Sequence, residues 1–282
     1  MRYVSFEALG RASYGLLRGD EIVDLGKRFG ARAPTLRALL AAELQTEAQR
    51  HADDAADYRL GDIKLLPVIP QPDLIACVGH NYEEHRVETQ RDPTEHPSIF
   101  LRHPQSLQGA GQPLLRPIES TQLDYEGELA VVIGKPGRRI KEADAWAHIA
   151  GVSCFNEGSV RDWQHHTRQF IPGKNFVKTG AFGPCLVTLD ELPAERVLSL
   201  TTRVNGQVVQ HASTDQMIFP IPRLIAYVST FLALVPGDVI VTGTPGGVGV
   251  KRNPQLWLKP GDRVEVEISS VGTLVNSVEA EA

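Results

Sequence analysis

The chain has 282 residues, 42% of them hydrophobic and 22% charged. That is ordinary globular composition, and it excludes disorder, collagen and coiled coil as the main architecture. Its 29 Lys and Arg against 34 Asp and Glu leave a net charge of −5, which excludes nucleic-acid binding through a broad basic face. Three cysteines without a CxxC pair argue against a disulfide framework and fit a reducing compartment. The N-terminus lacks the apolar stretch of a signal peptide. The longest apolar run, residues 224–235, is broken by Ser229 and Thr230 and falls far short of the ~20 residues that span a bilayer. The sequence reads as a soluble cytoplasmic protein with no nucleic-acid and no membrane partner.

In chain order, residues 3–6, 14–17 and 21–25 read as short strands. Thr35 is placed to cap a helix running through Leu36, Leu39, Leu40 and Leu44. Pro67, Pro70 and Pro72 end regular structure. They divide a small N-terminal α+β module, 1–70, from a larger domain, 71–282. Residues 83–88 read as a helix with Asn81 as its N-cap. Residues 143–149 and 221–234 read as two further helices. Strands are expected at 129–133, 239–241 and 264–268, the last two opened by Pro-Gly-Asp turns. Asn205-Gly206 closes a hairpin, since both residues accept positive φ. The order is not a βαβ alternation. The fold class is mainly β, with a few covering helices.

The segment Asp124-Tyr125-Glu126-Gly127-Glu128 runs into an apolar strand. On one continuous strand its three acids would share a face, ~6–7 Å apart. Burial beside one another would raise their pKa values, and a hard divalent cation removes that conflict. The competing reading is a solvated edge strand carrying acids. Glu157, in the segment 155–164, is a further candidate for the same site. Arg161 is a candidate clamp for a substrate carboxylate, set against an ordinary Arg–Asp pair in a loop. His85 and Glu88 are three apart on one helix face, as in a general base oriented by an acid, or as in a plain surface pair. Lys174 would stabilise an anion developing in a transition state. Residues 242–249 form a Gly-rich turn that is neither a P-loop nor a dinucleotide fingerprint. His165 and His166 are adjacent, do not share a face, and read as surface residues.

Together VGHNYEEH, DYEGELAVVIG, FNEGSVRDWQ, the Lys174 segment, VNGQ and TGTPGGVG resemble the fumarylacetoacetate hydrolase family, in order and spacing, from near Ile75 to the C-terminus. The resemblance implies a β-sandwich or roll core, a homodimer, and one Mg²⁺ or Mn²⁺ held by Glu126, Glu128 and Glu157. It implies a His85–Glu88 dyad on a lid helix, with Lys174 beside the reacting carbonyl. It also implies substrate contacts from Tyr82, Arg161, Gln164 and Thr244. Three positions depart from the usual pattern: Glu157 where Asp is common, Arg102 where Lys is common, and Val177 where Asp is common. The expected activity is metal-dependent hydrolysis of a C–C bond in a 2,4-diketo acid of the acylpyruvate type. Pyruvate and a carboxylic acid would be released, in aromatic or sugar-acid catabolism. The alternatives are oxaloacetate decarboxylation, isomerisation of an unsaturated 2-hydroxy diacid at the same site, or a ligand-binding protein that has lost its chemistry. Phe170, Phe176 and Phe182 are candidates for reading the acyl portion.

Overall fold

The strand Gly127–Ile133 is buried at every position. A strand reads as a continuous apolar run when both of its faces are covered, and here both are. In the computed structural model, which describes residues 1–282, this strand lies deep in a twelve-stranded sheet. It pairs antiparallel with Ile149–Asn156 on one side and Val239–Val241 on the other. Val239–Val241 pairs in parallel with Ile75–Gly79, which pairs with Ser98–Leu101. In the other direction Gly180–Val187 follows Ile149–Asn156. Arg2–Ala8 then joins at Arg2↔Val187 and Tyr3↔Leu186. The strands of the first 70 residues therefore extend this sheet.

A second, five-stranded sheet contains Gln207–Ser213, Ser199–Val204, Arg263–Ile268, Gly272–Ala280 and Leu114–Arg116. The larger apolar cluster joins residues of both sheets, among them Leu129, Val131, Leu200 and Val266. Gly127 lets the sheets meet closely, because a Cβ there would overlap the Thr202 hydroxyl. The other face of the large sheet, including Ala130 and Val132, packs on Leu36, Leu39 and Leu40 of the N-terminal helix. The result is the expected mainly β sandwich-like roll. No helix is long and apolar enough to cross a membrane.

Local chemistry accounts for where the elements stop. Thr35 Oγ1 accepts from the Ala38 amide at 3.1 Å, as expected of an N-cap. The helix that was expected to reach Leu44 ends at Ala41, because Glu43 turns left-handed at φ 55°, and Gln45–Gln49 starts afresh. Asn205 and Gly206 take φ values of 52° and 80°, the type I′ pattern of a tight hairpin. The helix Ile221–Phe231 stops three residues before its expected end, where Leu232 becomes extended. The segment expected as a helix at 143–149 is a 3₁₀ stretch, Glu142–His148. Asn81 does not cap the helix Glu83–Glu88. Its side chain instead donates to the carbonyls of Phe219 and Thr242 and accepts from the Phe219 amide.

Candidate active site

The acids of 124–128 do not sit on one strand. Leu123–Asp124 pairs with Ser159–Val160, and the large sheet resumes only at Gly127. Asp124 therefore turns away from the other two acids. Its carboxylate accepts from the amides of Tyr125, Gly249 and Val250 and from Arg161 Nε at 2.8 Å. Glu126, Glu128 and Glu157 do converge. They are buried, and one carboxylate oxygen from each lies within 4.8 Å of the others. The Glu157 amide donates to the Glu126 carbonyl at 2.8 Å, and the Glu126 amide donates to Asn156 Oδ1. Backbone pairing thus brings two of the three acids together.

Lys174 Nζ bridges Glu126 and Glu157, at 2.8 Å from Glu157 Oε2. Arg161 Nη2 donates to Glu126 Oε1 at 2.8 Å, and Ser159 Oγ donates to Glu126 Oε2. Burial opposes ionisation of Glu126, but Arg161 and Lys174 outweigh it and hold this carboxyl below the usual range. Burial, then the neighbouring Glu157 and Glu126, push Glu128 well above its usual value. Burial also works against the Lys174 charge, yet Glu126 and Glu157 keep the lysine firmly protonated.

This donor set fits a divalent cation. Of the four buried carboxyls, Asp124 included, those that form ion pairs do so with Arg161 and Lys174 alone. Glu157 Oε1 is buried without any partner. The atoms that would ligate it are all hard oxygens, which suit Mg²⁺ or Mn²⁺ rather than zinc. Saturating Mn²⁺ or Mg²⁺ at ~100 times Kd is expected to add about 2.7 kcal/mol of stability. A thermal melt of chelator-stripped protein, with and without added metal, reads this as a rise in Tm. An unchanged melt would speak against metal binding by these residues.

His85 lies on the helix Glu83–Glu88, with Nδ1 3.2 Å from Glu88 Oε2. Glu88 Oε1 also accepts from the Gly247 amide at 3.1 Å. One carboxylate therefore ties the helix to the Gly-rich turn and orients the imidazole. His85 and the three glutamates line one cavity of about 280 Å³, together with Arg161, Gln164, Lys174 and Thr244. Phe170 also lines it. Phe182 is instead in the core against Phe155, and Phe176 packs on Trp163.

The side chains expected at the substrate are placed unequally. Tyr82 does not line the cavity. It is 2% exposed, and its ring joins the large apolar cluster because the strand-like bridge to Met217 turns it inward. The Arg161 guanidinium is held inside the protein by Asp124, Glu126 and Gln164 Oε1 rather than left free to clamp an anion. The Thr244 hydroxyl is likewise engaged, accepting from Gln210 Nε2 and donating to the Gly127 carbonyl. The Gly243 amide next to it donates to Glu128 Oε2. Gln164, with its oxygen fixed by Arg161, keeps an amide N–H₂ without a protein acceptor.

Several residues at the site carry roles that the sequence did not assign. Gln210 links the Gly-rich turn to Gly127, whose amide donates to its Oε1 at 2.9 Å. Arg102 is buried and donates to the Gly158 carbonyl at 2.9 Å, bracing the turn behind Glu157. His80, at φ 56°, stacks on His85 with ring centroids 5.3 Å apart. Burial, then His85, push its pKa down to about 4, so it packs on His85 as a neutral ring. Only an L-residue tolerant of the left-handed region suits position 80, and that was the one available signal.

Gly158 has no room for a side chain, since a Cβ would overlap the Thr179 carbonyl. Gly158→Ala is expected to destabilise the fold by about 3 kcal/mol and to displace Glu157. A wild-type melting curve with wild-type metal affinity would contradict this.

The chain is similar to known proteins over nearly its whole length. The family model for the fumarylacetoacetate (FAA) hydrolase C-terminal region matches residues 74–279. The bovine mitochondrial oxaloacetate tautomerase FAHD2A is 42% identical over 291 residues, covering 99% of this chain and 91% of its own length. The solved fumarylacetoacetate hydrolase of the psychrophile Exiguobacterium antarcticum superposes with a TM-score of 0.84 at 33% identity, over 100% of both chains. A maleylpyruvate hydrolase from Sphingobium sp. SYK-6, solved with manganese(II) and pyruvate, gives a TM-score of 0.84 at 26% identity, again over 100% of both chains. A mainly β roll with a buried carboxylate triad is the class of protein that fold and site define. This chain belongs to the fumarylacetoacetate hydrolase family.

Proposed function

We propose that this protein is a divalent-metal-dependent tautomerase of 2-keto acids of the oxaloacetate type, moving a proton between C3 and the 2-keto oxygen. What carries the reading is His85, oriented by Glu88, facing a carboxylate triad across one small cavity. Identity of 42% across nearly the whole chain to an oxaloacetate tautomerase supports it.

Glu126, Glu128 and Glu157 would hold Mg²⁺ or Mn²⁺, which supplies charge stabilisation for an enolate when bound. The residues of the chain do the rest. Glu88 accepts from His85 Nδ1–H, which fixes the tautomer that leaves Nε2 unprotonated. Nε2 takes the C3 proton. Lys174 has three N–H donors and spends two on Glu126 and Glu157. The third is available to hydrogen-bond the keto oxygen, which takes its proton from water while His85 Nε2–H returns one to solvent. Gln164 Nε2 is a second donor. In the ketonising direction the same groups run in reverse. His165, Thr244 and Arg161 shape the cavity; Arg161 acts by holding Glu126 and Gln164.

Hydrolysis of a 2,4-diketo acid is the second reading, favoured by the full-length structural match to a fumarylacetoacetate hydrolase. It uses the same His85 base on water. The two are separated by giving the metal-loaded protein enol oxaloacetate and acylpyruvates in parallel. Accelerated loss of enol absorbance without pyruvate release is the expected result. Pyruvate release from an acylpyruvate, with no effect on the enol, would overturn the tautomerase reading. A homodimer in a reducing cytoplasm completes the proposal; all three cysteines are buried and free, as suits such a compartment.

A further inference from the structure

The charges lining the cavity differ with depth: the buried end holds acids countered by Arg161 and Lys174, and the outer end holds cations with no acidic partner. Its acids are the three glutamates, all buried. The cavity is also lined by Arg91, His165 and Lys251, which are exposed and so mark its outer end. Neither Arg91 nor Lys251 has a carboxylate within ion-pair distance, whereas nearby Arg86 is paired with Glu83. A neighbouring depression continues the same wall through Arg91, His165 and Arg168 and contains no acid. Another, reached past His80 and Gln90, carries Glu83 and Asp92 on the other side of Arg91.

Both cations stand on fixed backbone. The Arg91 amide donates to the Arg86 carbonyl at 3.0 Å, and the Arg86 guanidinium donates back to the Arg91 carbonyl. Lys251 closes a 3₁₀ turn whose preceding amides, Gly249 and Val250, are held by Asp124. The side chains reach the cavity from two separate elements, with His165 between them on a third. Partial burial and then Arg161, Arg91 and Lys251 lower the pKa of the His165 ring, so the positive field of these groups reaches it.

We propose that Arg91 and Lys251 form a subsite for a second carboxylate, making the cavity selective for 2-keto acids that carry an anionic group at the far end. This rests on the proposed reading that the triad end takes the 2-keto acid. A ligand entering with two charged ends meets glutamates already countered by Arg161 and Lys174 inside, and cations without an acidic partner outside. Its distal carboxylate is attracted to the rim, while its keto-acid end goes to the metal-binding triad. That orientation puts C3 in the middle of the cavity, where His85 lies. A monocarboxylate gains nothing from the rim.

The test is calorimetric, on the full-length Mn²⁺-loaded protein, with two stable five-carbon ligands that differ only at the far end: 2-oxoglutarate and 2-oxopentanoate. Wild-type protein is expected to bind the diacid about tenfold more tightly. Arg91→Gln and Lys251→Gln are each expected to weaken 2-oxoglutarate about threefold, and together about tenfold, the scale of partly exposed charge pairs. Both should leave 2-oxopentanoate unchanged. Equal weakening of the two ligands would reduce the rim to a general field and overturn the subsite, as would equal binding of both by the wild type. The outcome is independent of turnover. Discrimination without tautomerisation keeps the subsite and removes the tautomerase. Tautomerisation without discrimination does the reverse.

Discussion

Replacing His85 by alanine is expected to lower kcat by about 10²–10⁴-fold, the usual contribution of a positioned general base. Mn²⁺ affinity should change little, because the imidazole is no part of the carboxylate triad. The geometry behind this is specific. His85 is buried, its Nδ1 faces Glu88, and its ring is packed on the neutral His80. Nothing else lining the cavity combines a free ring nitrogen with an orienting acid. His80 has its Nδ1 near the Thr89 hydroxyl at 3.3 Å and no carboxylate partner. Glu88→Gln should keep the helix docked through the Gly247 amide and still lower kcat, though less, since the imidazole loses its orienting charge. Steady-state rates beside metal calorimetry separate these effects. Full activity in His85→Ala would remove His85 as the base.

Arg161→Leu is the substitution expected to cost most stability. Its guanidinium pairs with Asp124 and Glu126, and all three side chains are buried. Removing one partner of a buried pair typically costs about 3–5 kcal/mol, because the charge left behind is neither solvated nor paired. In a chain of this size each kcal/mol lowers Tm by roughly 2–4 °C. Arg161→Lys should be intermediate. One ammonium cannot span Asp124, Glu126 and Gln164 as the planar fork does. Added Mn²⁺ should raise the Tm of Arg161→Leu more than that of the parent, since Glu126 is then short of positive charge. Unchanged melting in Arg161→Leu would mean that Asp124 and Glu126 find other partners.

Much of the candidate site could be read without coordinates, for a definable reason. His85 and Glu88 belong to one short helix, so a spacing of three was enough to place them together. Glu126 and Glu128 flank the start of an apolar strand, and their proximity is also local. Glu157 and Lys174 were candidates from their own segments, but what joins them to Glu126 is long-range: a backbone bond from 157 to 126 and an ammonium from 174. The failures have the same character. Asp124 was expected beside Glu126 on one strand, but the chain breaks after Asp124 to pair with Ser159–Val160, and its carboxylate goes to Arg161. Tyr82 sits next to functional residues in the sequence, yet packs into the core.

The amino-acid sequence by itself determined what short-range chemistry can determine. It set the type I′ hairpin at Asn205-Gly206, the Thr35 cap, the His85–Glu88 pairing, and an apolar strand with acids at its head. The tertiary structure decided which charges meet. Arg161 became a clamp on Asp124 and Glu126, and Lys174 bridged two glutamates. Arg91 and Lys251, 160 positions apart, came to stand on one wall. A residue's periodicity says which way it points from its own element. Whether it finds a partner there depends on burial and on the register of strands far away in the chain, and at this site those two set where every charge lies.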